Sequence, residues 1–324
     1  MRAVVLVGGF GTRLRPLTLS TPKQMLPVAG PTMIERCLAH LARHGVDEAV
    51  LSLGYRSDVF TDAYPDGVCA GVRLRYAVEP EPLDTAGAVR FAADHAGIDE
   101  PFLVVNSDVM TELDVSALAA FHASHGAEGT IALTPVEDPS HFGVVPTDAN
   151  GKVLAFIEPS DAVKKGLEAP KEPPPTNLIN AGFYVLEPSA LGRIPTGRKV
   201  NIERETFPAM VADGSLYARA DDAYWIDVGT PERYLQGNLD HSDGKGWIAP
   251  DARVAADARV TESVVLAGAV IGAGATVHRS IIGAGAEVGP GATVTDVSVL
   301  GDGVRVEAGA TLAGVLVPDP ASSS

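Results

Sequence analysis

The sequence predicts an α/β protein: a layered, Rossmann-like domain with a mixed, mostly parallel sheet, followed by a left-handed β-helix. Up to about Asp240, apolar runs alternate with amphipathic stretches, as they do where helices return between parallel strands. After Lys245, aliphatic residues recur at intervals of six, which is typical of hexapeptide-repeat β-helices. The 324 residues leave room for about two domains. We predict them at residues 1–242 and 243–318, with a disordered tail at 319–324.

The first domain contains six apolar runs and three amphipathic stretches. The runs predict strands at Ala3 to Val7, Glu48 to Leu53, Leu74 to Val78, Phe102 to Val105, Thr130 to Val136 and Ala181 to Leu186. The amphipathic stretches predict helices at Thr32 to His44, Thr85 to His95 and Val115 to His125, the last with Asp114 as its N-cap. Ligands of such sheets bind at the carboxyl ends of the strands. Gly8-Gly9 and Asn106-Ser107-Asp108 fall there, so we expect these two loops to share a ligand.

The second domain repeats one aliphatic residue with small residues between. The repeated positions are Val254, Val260, Ile271, Val277, Ile282, Val288, Val294, Val306 and Leu312. A flexible linker has no reason to keep this register, so we interpret these residues as a narrow stacked core. Hexapeptide domains can also be acyltransferases. This one contains one histidine, His278, and few coils, so we favour a scaffold for oligomerisation.

Composition excludes several classes of protein. Hydrophobic residues make up 46% and charged residues 20%, as in a soluble globular protein, and the formal net charge is −16. That charge argues against binding to nucleic acid or to an anionic membrane surface. No stretch is long enough to span a membrane, and the apolar run after Met1 is too short for a signal peptide, so a cytoplasmic location is expected.

Cysteine and histidine positions do not indicate a metal centre. Cys37 lies at helical spacing with apolar residues and is expected in the core, whereas Cys69 lies in a Gly/Asp-rich connection. Two such cysteines suggest neither a disulfide framework nor a zinc site. His40 and His44 share one helix face and are expected to border solvent.

The first 34 residues combine a glycine turn with an excess of positive charge. Four basic residues and no acidic one occur there. The strand ending at Val7 leads into Gly8-Gly9-Phe10-Gly11, and glycines let backbone N–H groups approach phosphate oxygens while Arg13 and Lys23 supply charge. Leu14 stands where a dinucleotide fold has its third glycine, and no P-loop Gly-Lys-Ser/Thr follows. The sequence therefore indicates a phosphate site of another kind; a plain turn with solvated arginines is the alternative.

Carboxylates end two further strands. Asp108 and Asp227 each follow an apolar run, where a carboxylate could hold Mg²⁺ together with phosphate oxygens and water. For either residue alone, a turn or capping role is an equal alternative. Glu158 and Asn180 lie at strand edges and could hydrogen-bond sugar hydroxyls.

Taken together, these segments resemble the sugar-1-phosphate nucleotidyltransferases, and most closely the GDP-mannose pyrophosphorylases (mannose-1-phosphate guanylyltransferases). The matching stretches begin at Val7 (Val-Gly-Gly-Phe-Gly-Thr-Arg-Leu-Arg-Pro-Leu-Thr), Thr21 (Thr-Pro-Lys), Glu79 (Glu-Pro-Glu-Pro-Leu-Asp-Thr-Ala-Gly-Ala), Phe142 (Phe-Gly-Val-Val), Asn180 (Asn-Ala-Gly-Phe-Tyr-Val), Ile202 (Ile-Glu-Arg-Glu-Thr-Phe-Pro) and Trp225 (Trp-Ile-Asp-Val-Gly-Thr-Pro). The likeness covers nearly the whole chain, including the β-helix.

The resemblance implies a Mg²⁺-dependent transfer in which a sugar-1-phosphate oxygen attacks the α-phosphorus of an NTP, with GTP and mannose-1-phosphate as the expected substrates. It implies catalytic roles for Arg13, Lys23, Asp108 and Asp227, the two aspartates as metal ligands. It implies nucleotide contacts at Leu6, Gly8, Gly9, Gly11, Thr12, Glu79, Thr85 and Gly87. It implies sugar-phosphate contacts at Asn106, Gly143, Glu158, Asn180 and Thr230. A homo-oligomer with contacts through the β-helix is expected.

The chain departs from the family pattern at two places. Asn-Gly-Asp is replaced by Asn106-Ser107-Asp108, whose extra side chain could narrow the ligand space. The family's Glu-Lys-Pro is replaced by Glu158-Pro159-Ser160, which removes a lysine from the sugar phosphate. Lys164, Lys165 or Lys171 could replace that lysine.

Two alternatives to the expected function stay open at the level of the sequence. The same reaction could use another sugar or cyclitol phosphate with dTTP, UTP or ATP. The chain could also be a non-catalytic subunit that binds an NDP-sugar and regulates a partner. Retention of Arg13, Lys23, Asp108 and Asp227 argues against the second alternative.

Overall fold

The computed structural model describes residues 1–54, 56–164, 168–169 and 172–319. The chain forms two compact units. The first comprises Met1–Gly9 and Cys37–Trp225, and the second comprises Phe10–Arg36 and the chain from Ile226 onward. Within the described residues, no helix is long and apolar enough to cross a membrane.

Among the residues that the structure describes, ten strands precede the repeat region. They are β1 Arg2–Leu6, β2 Glu48–Leu53, β3 Val68–Cys69, β4 Val72–Val78, β5 Phe102–Asn106, β6 Val109–Thr111, β7 Gly129–Pro135, β8 Leu178–Leu186, β9 Leu216–Ala220 and β10 Trp225–Asp227. Eight of them form one sheet in the order β3-β4-β2-β1-β5-β8-β7-β9. Strands β4, β2, β1 and β5 run parallel, as do β7 and β9, while β8 is antiparallel to both of its neighbours. The predicted mixed, mostly parallel sheet is confirmed.

In the described part of the chain, seven α-helices connect these strands or follow them. They are α1 Met33–Arg43, α2 Ser57–Ala63, α3 Asp84–Ala96, α4 Val115–His125, α5 Asp161–Lys164, α6 Phe207–Asp213 and α7 Pro231–Asp240. Helix α3 packs on β1, β2 and β4, and α4 packs on β7, β8 and β9. The Asp114 carboxylate accepts the N–H of Ala117 at 2.9 Å, which confirms the predicted N-cap. All six predicted strands and all three predicted helices are present.

The repeat region is a β-helix with three parallel sheets. Its strands are β11 Gly246–Ile248, β12 Arg253–Val254, β13 Arg259–Thr261, β14 Ser263–Val265, β15 Val270–Ile271, β16 Thr276–His278, β17 Ile281–Ile282, β18 Glu287–Val288, β19 Thr293–Thr295, β20 Val299–Leu300, β21 Arg305–Val306, β22 Thr311–Ala313 and β23 Leu316–Val317. The sheets are β11-β14-β17-β20-β23, β12-β15-β18-β21 and β13-β16-β19-β22. Every aliphatic residue predicted for the stacked core packs in it.

At one corner of the β-helix, successive core residues are five positions apart and not six. The sequence pattern alone does not make this shorter spacing evident. Val260 is followed by the core residue Val265, and Val277 by Ile282. Ser263 and Ser280 occupy this corner and are buried. The hydroxyl of Ser263 donates to the Thr261 carbonyl at 2.7 Å and accepts the N–H of Ser280 at 3.1 Å, so small polar side chains close the tighter turn.

His40 is buried, so the expectation that it borders solvent is wrong for this residue. It packs edge-on against Phe183 with a ring separation of 6.1 Å, and its side chain is 5% exposed. Burial, together with neighbouring His44 and Arg43, lowers the pKa of His40 to about 4, and the charge of Glu112 opposes this shift. Neutral His40 is thus the form that fits the fold.

We expect His40 to make the protein acid-sensitive. Between about pH 6.5 and pH 4 the unfolded chain binds a proton at this position that the folded chain does not, so stability falls as the pH falls. The difference corresponds to about 3 kcal/mol of unfolding free energy. His40→Leu should flatten urea-unfolding stability over this pH window, whereas the exposed control His95→Leu should not. An unchanged pH slope in His40→Leu would contradict this assignment.

Candidate active site

The parallel strands of the first unit bring their following loops to one edge of the sheet. Leu6 of β1 pairs with Ser52 of β2 on one side and with Asn106 of β5 on the other. The segments after β1 and β5 therefore leave from neighbouring positions. The expectation that Gly8-Gly9 and Asn106-Ser107-Asp108 lie side by side agrees with this register.

The glycine turn has a backbone that needs glycine. Gly9 has φ of +103° and Gly11 has φ of +58°, a region that side chains with a Cβ rarely adopt. A Cβ on Gly8 or Gly9 would meet nothing within 4 Å, so their backbone borders open space. Gly11 is different, because its carbonyl accepts the Thr18 hydroxyl at 2.7 Å. The turn is anchored at Gly11 and open at Gly8 and Gly9.

In the second unit, one predicted cation lies beside the end of this turn, and the other faces a predicted carboxylate. A Cβ on Gly11 would lie 3.3 Å from Cβ of Lys23, so that lysine begins beside the turn. Nη2 of Arg13 lies 3.7 Å from Oδ2 of Asp227. The Arg13 side chain is 62% exposed and that of Asp227 only 20%. The less exposed Asp227 carboxylate therefore orients the guanidinium of Arg13, which reaches solvent.

Gly229 is a residue of this cluster that the sequence reasoning missed. Its N–H donates to Oδ1 of Asp227 at 2.9 Å, which fixes the carboxylate. A Cβ on Gly229 would lie 2.5 Å from Nη2 of Arg13 and 2.7 Å from Oδ1 of Asp227. Only glycine leaves the room that both side chains occupy. The Asp-Val-Gly spacing after the strand was the available signal.

In the first unit, Asp108 follows β5, and its charge contributes to the raised pKa of buried Cys37, which is about 12 chiefly because of desolvation. The side chain of Ser107 is fully buried, and its hydroxyl donates to the carbonyl of Leu6 at 2.5 Å. The extra atoms of Ser107 therefore point into the sheet. The expectation that they narrow the ligand space is wrong, and the serine instead ties β5 to β1.

Three further residues expected to contact the nucleotide, of which Glu79 and Gly87 are expected near the base, each have a partner in the first unit. Glu79 accepts the hydroxyl of Ser52 and the N–H of Leu83, both at 3.0 Å, so its carboxylate folds the loop before α3 onto β2. Thr85 accepts the N–H of Ile202 at 2.8 Å. A Cβ on Gly87 would lie 2.6 Å from the carbonyl oxygen of Arg198, so the missing side chain allows close packing of backbone.

Three residues expected at the sugar phosphate lie together in the first unit. The Gly143 carbonyl accepts the N–H of Asn180 at 2.9 Å, and a Cβ on Gly143 would lie 2.6 Å from Oε2 of Glu158. The Asn180 amide donates to the hydroxyl of Tyr184 at 2.9 Å, and burial raises the pKa of Tyr184 well above its usual value. Asn106 borders the same group, because a Cβ on Gly182 would lie 2.9 Å from its Nδ2.

Thr230 and the candidate lysines complete the predicted set. In the second unit, Thr230 is the N-cap of α7, and its hydroxyl accepts the N–H of Arg233 at 3.4 Å. The backbone of Lys164 ends α5. Its side chain, like Lys165 and Lys171, lies outside the described residues, so replacement of the family lysine stays a prediction.

The Asp227 carboxylate has the chemistry of a ligand for a divalent cation that also binds phosphate oxygens. Among the described residues, no group of three or more His, Cys, Asp or Glu side chains could enclose a metal ion. Mg²⁺ does not need such a cage, because it takes one or two protein carboxylates and completes its shell with phosphate oxygens and water. The Asp227 carboxylate accepts a backbone N–H and lies beside Arg13, so its position is fixed. It is a carboxylate ligand of the kind that Mg²⁺ takes.

A mixed α/β sheet, a glycine turn after its β1 strand and a following β-helix define the class: an α/β protein with a C-terminal repeat domain. Residues 2–244 match the family model described as Nucleotidyl transferase, and residues 243–321 match the one described as GMPPB C-terminal domain. The chain belongs to the nucleotidyl transferase family.

Relatives and solved structures support this assignment. The chain is 42% identical over 312 residues to a protein of Mycobacterium tuberculosis named mannose-1-phosphate guanylyltransferase, covering 96% of this chain and 82% of the relative. It is 40% identical over 275 residues to the mannose-1-phosphate guanyltransferase of Schizosaccharomyces pombe, covering 84% and 73%. The crystal structure of HddC from Yersinia pseudotuberculosis complexed with GMP-PN has a TM-score of 0.62 at 27% identity, covering 74% of this chain and 99% of that chain.

Proposed function

We propose that this protein makes GDP-mannose and pyrophosphate from GTP and mannose-1-phosphate. The observation that carries the proposal is a pair of contacts in the second unit: Lys23 begins beside Gly11, and Arg13 faces Asp227 at 3.7 Å. The names of the relatives from Mycobacterium tuberculosis and Schizosaccharomyces pombe support this choice of substrates, and the GMP-PN in the HddC crystal supports a guanine nucleotide.

The proposed reaction is an in-line displacement at the α-phosphorus of the NTP. A phosphate oxygen of the sugar-1-phosphate forms the new P–O bond, the bond to the β-phosphate's bridging oxygen breaks, and pyrophosphate leaves. Arg13 and Lys23 neutralise the triphosphate, while Gly8 and Gly9 let it approach their open backbone. The attacking phosphate is already ionised, so no general base is required.

We propose Asp108 and Asp227 as the protein ligands of Mg²⁺, which when bound supplies neutralisation of charge on the phosphate oxygens. We also propose that Gly143, Glu158 and Asn180 bind the sugar phosphate. Their mutual contacts support this role, because these contacts hold a carboxylate and an amide at fixed positions. A cytoplasmic homo-oligomer that associates through the β-helix is part of the proposal, and light scattering after size exclusion tests the association.

Pyrophosphate release over a panel of substrates tests the proposed function. The panel crosses GTP, ATP, UTP and dTTP with mannose-1-phosphate, glucose-1-phosphate and a cyclitol phosphate. GTP with mannose-1-phosphate should give the highest kcat/KM. A different best pair would replace the substrates and keep the reaction, whereas no turnover with any pair would favour a regulatory subunit that binds NDP-sugar.

A separate prediction concerns the lysine that the chain lacks after Glu158. We expect one of Lys164→Ala, Lys165→Ala and Lys171→Ala to raise the KM for the sugar phosphate by about one to two decades, since a charge-assisted contact to phosphate contributes roughly 1.5–3 kcal/mol. The KM for GTP should stay unchanged, and Lys245→Ala in the second unit is the control. Three unaltered sugar-phosphate KM values would exclude the replacement.

A further inference from the structure

We propose that the β-helix positions the segment Phe10–Arg36, here called the phosphate-binding segment, with Ser20 and Asp302 as the positioning residues. The inference rests on the proposed function. Ser20 follows the glycine turn and lies between Arg13 and Lys23 in the sequence, while Asp302 belongs to a turn of the β-helix after β20. The Ser20 hydroxyl donates to Oδ2 of Asp302, although 282 residues separate them along the chain.

Asp302 is itself held by the neighbouring coil. Its Oδ1 accepts the N–H of Ala284 at 2.8 Å, so one carboxylate joins two coils of the β-helix to Ser20. Such a carboxylate has a defined orientation, because each oxygen has a donor. It can therefore transmit the position of the coils to the segment.

A second contact lies beside the first. A Cβ on Gly301 would lie 3.0 Å from Cβ of Pro16 and 3.3 Å from Cγ of Pro16, so the proline ring rests on the bare backbone of this coil. Gly301 does not have a positive φ, so its absent side chain serves this close approach. Pro16 and Ser20 thus bracket the turn Leu17–Leu19, and both contact the same corner of the β-helix.

The outer face of the sheet β11-β14-β17-β20-β23, which ends at this corner, is covered by other parts of the protein. Val264, Ile281 and Val299 alternate with core residues and therefore point out of the coil, yet each is fully buried. Helix α7 covers part of this face by packing on β11 and β14. The same helix also contacts the phosphate-binding segment, because the Tyr234 hydroxyl donates to the Pro27 carbonyl at 2.6 Å.

The segment from Phe10 to Arg36 is thus held at two places, on a coil corner near Ser20 and on α7 near Pro27. Lys23 lies between these two places, and Arg13 lies three residues before Pro16, the first contact with the coil corner. If they bind the triphosphate, loosening the coil corner should weaken use of the NTP and leave the sugar phosphate unaffected. A domain that served only for oligomerisation would not produce this difference.

The test uses the full-length chain and pyrophosphate release with GTP and mannose-1-phosphate. Asp302→Ala and Ser20→Ala should each raise the KM for GTP about three- to tenfold, the range for the loss of one typical hydrogen bond. The double variant should be no worse than either single one. Asp302→Asn should be close to wild type, because its amide oxygen can still accept the Ala284 N–H and its amide nitrogen can donate to the Ser20 hydroxyl oxygen. Gly301→Val, which pushes on Pro16, should have the larger effect.

Matched controls in other turns of the β-helix are Asp257→Ala and Ala273→Val, both at exposed positions. The KM for mannose-1-phosphate and the oligomer size should stay constant in all variants. Unchanged KM for GTP in Asp302→Ala and Gly301→Val would overturn the proposal, and so would additive effects of Ser20→Ala and Asp302→Ala.

Hydrogen exchange separates this proposal from the proposed function. Amide exchange in residues 10–22, measured without substrate, should accelerate in Asp302→Ala and Gly301→Val and not in the controls. If the wild type lacks turnover with every substrate pair, the proposed function fails while faster exchange still supports the positioning role. If turnover is present and neither exchange nor the KM for GTP changes, only the positioning role fails.

Discussion

Asp227→Asn should lower kcat for pyrophosphate release by a factor on the order of 10²–10³, the cost of removing one preorganised charge at a reacting phosphate. The substitution keeps the shape of the side chain, and its amide oxygen can still accept the Gly229 N–H. It removes the negative charge that faces Arg13 at 3.7 Å and that we propose as a metal ligand. The loss should therefore be in activity and not in folding.

Two measurements identify the cause of that loss. If Asp227 binds Mg²⁺, the Asn variant should need a higher Mg²⁺ concentration for half-maximal activity. Thermal unfolding should change little, and the exposed control Asp222→Asn should match wild type in both assays. A fully active Asp227→Asn would contradict the metal assignment and the orientation of Arg13 by this carboxylate.

The strands and helices of the first unit were predictable because burial imposes a period on the sequence. Strand β5, Phe102–Asn106, is an apolar run because both faces of a central strand are covered. The core of the β-helix was predictable for a similar reason, since Val277 and Val294 must both point inward from stacked coils. These features depend on local pattern alone.

Positions that depend on a distant partner were not predictable from pattern. Ser107 was expected to face the ligand, but its hydroxyl donates a buried hydrogen bond to the carbonyl of Leu6. The sequence around Ser107 does not indicate this distant partner. His40 was expected at the surface, but Phe183 covers it from a strand far along the chain. The role of Gly229 depends on the space that Arg13 occupies, which requires the fold.

Gly87 is a residue that the family resemblance identified, but the reason for its glycine also depends on a distant partner. The resemblance implies that it lies near the base, whereas the structure places the Arg198 carbonyl where its Cβ would be. The two roles are compatible, because close packing under α3 fixes the start of the helix. The chemical reason for the glycine nevertheless comes from packing that a motif does not contain.

Gly229→Ala should lower kcat/KM about ten- to a hundredfold while the protein stays folded. The added methyl group would lie 2.5 Å from Nη2 of Arg13, and the end of that exposed side chain can swing away at little cost in stability. A displacement of about 1 Å in a group that positions substrate can cost on the order of a hundredfold in rate. Pyrophosphate release and thermal unfolding measure the two quantities on the same samples.

Gly192→Ala is the matched control, because a Cβ there meets nothing within 4 Å and its φ is not positive. It should keep full activity and equal or greater stability, since alanine reduces the entropy of the unfolded chain. Combining Gly229→Ala with Arg13→Ala should cost no more than Arg13→Ala alone, because the methyl group acts by displacing that arginine. If the two losses instead multiply, Gly229 acts through Asp227 and not through Arg13.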